Sequence, residues 1–376
     1  MYQIKLFNKI SAVGTSRLDP EKYTCGEGLE CYDAILVRSA KLHDTAFPAG
    51  CKCIARAGAG VNNIPLDRCA DEGIVVFNTP GANSNAVKEL VICGLLLASR
   101  KIVQGANWVQ SLSGTSDLGP AAEKGKATYA GPELMGKKLG VIGLGAIGWK
   151  VANAACALGM QVIGYDPYLS DAAKAALDPS VAVVSLEELF READYVTVHV
   201  PLLDSTRGLI GAGAIAAMKD GVRIVNFARG ELVDTAAMDA ALTSGKVAAY
   251  VCDFASEEML AQPNAIVLPH LGASTPESED NCAVMACDEV SDFLENGNIV
   301  NSVNFPPVSL GRKGASPRVL ILTKGGIDAA ALLTAQGVSV AQQSAGRRGE
   351  YGAFLADVSA PVPSLSGDGI LAVRAL

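Results

Sequence analysis

The chain has 376 residues, 49% hydrophobic and 19% charged, which is enough for two or three domains that each bury a full core. A formal net charge of −8 with no Lys/Arg cluster argues against a nucleic-acid partner, and the apolar run Leu90 to Ala98 is nine residues, far short of a membrane span. Ten cysteines are scattered among apolar neighbours and only three histidines occur, so reduced, buried thiols in a cytoplasmic protein are expected, with no disulfide framework and no metal site.

The N-terminal MYQIKLFNKI reads as a first strand rather than a signal peptide, because it lacks a long apolar stretch and a small-residue cleavage site. Residues 1–100 alternate short apolar runs with helix-like spans, the pattern of a parallel sheet covered by helices. Strands are expected at Tyr32 to Val37, Cys53 to Ala55 and Ile74 to Phe77. They lead into Arg38-Ser39, into Arg56-Ala57-Gly58-Ala59-Gly60, and into Asn78 to Asn83. In open α/β sheets ligands bind off the carboxyl ends of strands, so these loops should face one cleft. Small residues at 58–60 would let backbone N–H groups approach a carboxylate. A long apolar helix from Asn85 to about Gln110 should cross between domains. Residues 111–137, polar and without period, should form a loop or lid carrying Lys124 and Lys126.

Residues 138–166 carry the most specific pattern. Leu139 to Ile142 is a short apolar strand, and Gly143, Gly145 and Gly148 fall in the G-x-G-x-x-G spacing. Gly143 permits a sharp turn, Gly145 lets a pyrophosphate approach the backbone, and Gly148 lets the next helix pack closely on the strand. The helix N-terminus offers unpaired N–H groups and the positive end of a dipole to phosphates. A second strand, Gln161 to Tyr165, delivers Asp166 about twenty residues after the turn, where an acid binds the ribose hydroxyls and favours NAD over NADP.

Strand and helix then alternate: Val181 to Val184, the helix Leu186 to Arg191, Tyr195 to Val200, Ile224 to Phe227, residues 247–254 and Ala265 to Leu268. Three successive strands end at Arg229, at Asp253 with Glu257 and Glu258 beyond it, and at His270. Hydride transfer from a carbinol carbon needs a base for the hydroxyl proton and a cation near the carbon's oxygen and carboxylate. A histidine titrates near neutrality, a neighbouring carboxylate stabilises its imidazolium, and a permanently charged arginine fork grips a 2-oxo acid. His270, one of the acids and Arg229 can supply that set. His43 reads as solvated, and His199 as structural or cofactor-lining. A helix from Pro276 should return to the first domain, a Pro/Gly/Ser linker should span 307–317, and the last sixty residues should form a small α+β unit.

The expected fold is therefore α/β: two doubly wound parallel-sheet domains of Rossmann or flavodoxin-like type plus a small C-terminal α+β domain. The expected division is 1–97 with 276–306 for substrate, 98–275 for NAD, and 318–376 at the C-terminus. The motifs RAGAGVNNI, NTPGANSNAVKELV, KLGVIGLGAIG, GYDPY, NFARGELVD, YVCDF and PHLGASTPE occur in that order. Over residues 1–306 the chain resembles the D-isomer-specific 2-hydroxyacid dehydrogenases, and within them the branch that oxidises 3-phosphoglycerate. The resemblance implies that Arg229 binds substrate and that His270 is the acid/base. Its acidic partner is Glu258, counted five residues from Asp253, with Glu257 as the alternative because Met259 stands where proline is usual. It implies that NAD meets Gly143, Gly145, Ala146, Ile147, Gly148, Asp166, Pro201, Thr206, Ala228, Asp253 and Gly272. It also implies that backbone amides at Ala59 and Gly60 hold the substrate carboxylate, with Arg38, Ser39 and Asn83 toward the distal end and Lys126 reaching a phosphate. A homodimer or homotetramer is implied. The tail resembles a ferredoxin-like βαββαβ regulatory unit of the ACT type, which binds serine. Rival readings are a hydroxypyruvate/glyoxylate reductase or D-lactate dehydrogenase, and an NAD-sensing binding protein of the co-repressor type.

Overall fold

The computed structural model describes residues 1–362 and 365–376, and the chain forms two compact units, Met1–Asn83 with Thr275–Leu376, and Ser84–Ser274. In the first, β1 (Tyr2–Phe7), β2 (Tyr23–Gly26), β3 (Ala34–Val37), β4 (Cys53–Arg56) and β5 (Val75–Asn78) form a sheet in the order β2-β1-β3-β4-β5. All pairs are parallel, and this is the flavodoxin-like order. All four residues of β3 are buried, as expected of a central parallel strand covered on both faces. The helix Pro276–Asn296 packs on this sheet. Thr275 caps it, proline occupies its first turn, and Gly297 ends it at φ 73°. Its buried Cys282, Ala286, Cys287, Val290 and Phe293 join Ile4, Leu36, Ala55 and Phe77 in one core.

In the second unit, β6 (Lys138–Ile142), β7 (Gln161–Tyr165), β8 (Ala182–Val183), β9 (Tyr195–Val198), β10 (Val222–Asn226), β11 (Val247–Cys252) and β12 (Ala265–Val267) form a parallel sheet. Its order is β12-β11-β10-β9-β6-β7-β8, which reverses direction at β6 as in the Rossmann arrangement. The helix Ser84–Ser99 belongs here, so the compact units part at 83/84 and not at 97. The reason is packing: a side chain on Gly94 would come within 2.9 Å of the Phe227 ring, so glycine lets this helix lie directly on the sheet.

Two local expectations are corrected. The helix anticipated over 85–110 breaks after Ser99 and resumes at Ile102–Ser111. The anticipated lid contains a helix, Leu118–Gly125, and a 3-10 turn, Lys126–Tyr129. Trp108 stacks on Tyr129 with ring centroids 5.2 Å apart, a contact between distant residues that orders the segment.

The tail also departs from expectation. Strands β13 (Arg318–Lys324), β14 (Val340–Arg348), β15 (Tyr351–Val358) and β16 (Ile370–Ala375) make an antiparallel sheet in the order β14-β15-β13-β16, with the helix Ala329–Ala335 on one face. Among the described residues no second helix follows β15. The other face, with Leu320, Leu322, Ala353 and Leu355, shares the core of Phe77, Phe293 and Phe305. Arg318, 2% exposed, holds Asp357 through two hydrogen bonds of 2.7 and 3.0 Å. The expected linker is partly fastened, because buried Val308 pairs with Ile299. Six of the ten cysteines are buried, whereas Cys31 and Cys93 are exposed. No helix among the described residues is long and apolar enough to cross a membrane.

Candidate active site

The glycine turn takes the form its spacing dictates. Gly143 sits at φ 90°, and a side chain there would meet the His199 carbonyl oxygen at 2.8 Å. A Cβ on Gly148 would fall 1.8 Å from the Gly143 carbonyl oxygen, so the helix Gly148–Ala157 starts in contact with the turn. Gly145 differs: nothing lies within 4 Å of its would-be Cβ, and no side chain caps the helix N-terminus at Ile147. The result is an open cradle backed by a positive helix end, the shape and polarity a pyrophosphate requires. Asp166 closes it, its two oxygens accepting from Leu144 N and Tyr168 N at 2.9 Å each. The residues present fit a dinucleotide.

Sheet register sets the rest of the edge. Tyr165, Ile142, Val198, Asn226, Cys252 and Val267 lie side by side across β7, β6, β9, β10, β11 and β12. The next residue of each strand is therefore Asp166, Gly143, His199, Phe227, Asp253 and Leu268, with Arg229 and His270 two residues beyond Phe227 and Leu268.

His199 lies against Thr197, with Nε2 3.0 Å from the Thr197 hydroxyl, and burial pushes its pKa down to about 4, so it stays neutral at physiological pH. Asp253 is 4% exposed, and neither carboxylate oxygen has a hydrogen-bond partner among the described residues. Burial raises its pKa, and the charge of His270 opposes that rise. The His270 ring is exposed and stands edge-on to Phe254 at 5.3 Å. Glu257 and Glu258 occupy the first turn of the helix Glu257–Ala261, which Ser256 caps. Both are exposed, and among the described residues neither bonds to His270. The Thr206 hydroxyl donates to Pro201 O (2.7 Å) and accepts from Leu203 N (2.8 Å), closing the loop after β9. Arg229 donates from Nη1 to Ala228 O at 2.6 Å. Asn226, given no role by the sequence reading, accepts from Ala228 N and donates to Arg229 O. Its place inside NFARG was the available signal.

In the first unit the loops after β3, β4 and β5 are tied to one another. Asn78 Nδ2 donates to Ala59 O (2.6 Å), Thr79 N to Gly58 O (3.2 Å), and Arg56 Nε to Arg38 O (3.0 Å). Because a trans peptide points its C=O and N–H in opposite directions, the Gly60 N–H faces away from Asn78. Asn8, the only non-glycine at positive φ among the described residues, accepts from Ser39 N at 3.0 Å and thereby shapes the turn beside Arg38. The Arg38 guanidinium pairs with Glu279 at 2.8 Å. The oxygens Asn83 Oδ1 and Thr79 Oγ1 are buried without a partner. Arg56, which the sequence reading left without a role, reaches under Gly58: a Cβ there would lie 2.4 Å from its Nη1. Lys126 is exposed and paired with Glu123 at 2.6 Å.

Residues 92–272 match the family described as D-isomer specific 2-hydroxyacid dehydrogenase, NAD binding domain. The chain belongs to the D-isomer-specific 2-hydroxyacid dehydrogenase family. A D-3-phosphoglycerate dehydrogenase of Archaeoglobus fulgidus is 37% identical over 287 residues, 74% of this chain and 52% of the relative. A hydroxypyruvate reductase of Thermotoga maritima is 40% identical over 277 residues, 70% of this chain and 85% of the relative. Among solved structures, an NAD+-bound 3-phosphoglycerate dehydrogenase of Entamoeba histolytica is similar at 27% identity and a TM-score of 0.63, covering 81% of this chain and 98% of that one. The chain spans about half the length of the curated phosphoglycerate dehydrogenases it matches.

Proposed function

We propose that the protein is an NAD-dependent dehydrogenase that oxidises 3-phospho-D-glycerate to 3-phosphohydroxypyruvate, the first step of L-serine biosynthesis. The observation that carries this reading is the single row of strand ends that presents Arg229, Asp253 and His270 beside the glycine turn. NAD+ bound on Gly143 to Gly148 would supply the hydride acceptor, with Asp166 on the ribose and Asp253 on the carboxamide. His270 takes the hydroxyl proton as the C2–H bond breaks and the carbonyl forms. Arg229 grips the carboxylate and the oxygen that gathers charge. Glu258, or Glu257, supports the imidazolium. Amides at Ala59 and Gly60 take the carboxylate, and Arg38 and Lys126 take the phosphate. Among the described residues both cations sit in solvent-exposed ion pairs, worth about 0–1 kcal/mol, which a phosphate dianion can displace.

The hydroxypyruvate reductase relative, matched over most of its length, favours a second reading as a reductase of unphosphorylated 2-oxo acids. A substrate panel separates them. NADH formation that requires 3-phosphoglycerate and falls at least about tenfold in Arg38→Ala is expected for the first, one charged contact being worth about that much. Faster turnover of hydroxypyruvate or glyoxylate would move the protein to the second. Running the panel with and without serine tests the tail as an effector module. For the acid partner, Glu258→Gln should move the acid limb of the kcat/KM profile to lower pH while Glu257→Gln leaves it in place. The opposite pattern assigns the role to Glu257.

A further inference from the structure

We infer that Asn226 is a positioning residue that aims Arg229 at the substrate carboxylate, an inference that rests on the role proposed for Arg229. Asn226 is the last residue of β10, is wholly buried, and lies in register between Val198 and Cys252 at the centre of the sheet. Its Oδ1 accepts from Ala228 N at 3.1 Å, and its Nδ2 donates to Arg229 O at 2.9 Å. The first bond alone would suffice to turn the chain off the strand. The second pins the peptide on the far side of Arg229, so both peptide groups bracketing residues 228–229 are fixed to one rigid side chain. The middle peptide of this clamp is itself used, because Ala228 O accepts from Arg229 Nη1 at 2.6 Å. Arg229 thus leaves the sheet edge from an extended backbone (φ −147°, ψ 140°) with its root held at both ends.

Only an amide of this length does both jobs. Aspartate has the acceptor but would set a second oxygen against Arg229 O. Serine can still accept from Ala228 N but cannot reach Arg229 O. A flexible arginine on a loosened root loses orientation, and a misplacement of about 1 Å near reacting groups can cost on the order of 10²-fold.

The test uses the full chain and measures KM and kcat with 3-phosphoglycerate and with hydroxypyruvate, the dissociation constant for NADH, and the melting temperature. Asn226→Ala and Asn226→Ser should raise KM for the acid by about 10- to 100-fold with NADH affinity within about twofold of the parent, as expected when only substrate binding is lost. Asn226→Ser should keep the parent melting temperature, which guards against a variant that simply fails to fold. In an Arg229→Ala background, adding Asn226→Ser should cost nothing further, because the two act as one unit. Additive losses, a parallel weakening of NADH binding, or full recovery of KM by serine would each overturn the inference and leave a structural strand-end cap. If Arg229→Ala itself leaves KM unchanged, the site reading fails and this inference falls with it. If Arg229→Ala raises KM but the Asn226 variants do not, only the inference fails.

Discussion

Two carboxylates with buried, unpartnered oxygens, on Glu289 and Asp253, make stability depend on pH. Glu289 accepts from Asn301 Nδ2 at 2.7 Å through one oxygen, while the other oxygen is buried without a partner. Burial raises its pKa from 4.5 to about 8. A carboxyl with a raised folded-state pKa contributes stability that is complete below the unfolded value and is lost as pH rises to the folded one. Glu289→Gln should therefore melt like the parent near pH 4.5, gain on it steadily as pH rises, and hold a constant advantage of several degrees above pH 8, as read by calorimetry. Asp253 follows the same sign, since burial raises it too, but it faces the cofactor edge. Asp253→Asn should raise the melting temperature of the cofactor-free protein at pH 8 and weaken NADH binding about tenfold, the worth of one charge-assisted hydrogen bond. Unchanged NADH affinity would remove Asp253 from the cofactor site. Neither effect was legible in the sequence, where Glu289 is one more acid on an amphipathic helix and only tertiary burial marks it out.

At the scale of elements, the sequence was most informative where chemistry forces a residue type. The glycine turn, the strands feeding it and the acid after β7 were readable because apolar runs of strand length and glycines of fixed spacing have few other uses. The last two glycines of the motif serve different ends, which a double test can separate. Gly148→Ala forces a carbon against the Gly143 carbonyl and should destabilise the dinucleotide unit by several degrees. Gly145→Ala points a methyl into open space, so it should leave the melting temperature within about a degree, a surface-like change, while weakening NADH binding at least tenfold. If Gly145→Ala binds NADH normally, the pyrophosphate does not lie in that cradle. The segment after Ser99 was unreadable for the opposite reason. Its order comes from Trp108 lying on Tyr129, about twenty residues away, and no local periodicity announces such a pair. Strand β16 was missed similarly, since its edge of the sheet is supplied by β13, fifty residues earlier.

At the scale of the molecule, composition and strand alternation predicted two parallel-sheet units, and the strand orders bear this out. The surprise is the tail. Phe305 meets Tyr351 edge-on at 5.6 Å, Lys324 bonds Asp71 at 2.6 Å, and Arg374 donates to Gly73 O at 2.7 Å. One face of the terminal sheet is thus a wall of the first unit's core, which no local reading of a Pro/Gly/Ser span before it could suggest. Deleting residues 318–376 should expose Phe77, Phe293 and Phe305 and yield a protein that aggregates or binds hydrophobic dyes. A soluble truncation melting at the parent temperature would show that the tail stands alone. The shared core also bears on the order in which the chain acquires structure. Residues 84–274 form a unit that is continuous in sequence, whereas residues 1–83 share their core with strands that are made only after that unit. The segment that is made before residues 84–274 is then completed after them, and until β16 is made the apolar faces of β3, β4 and β5 are incompletely covered and most need protection from aggregation.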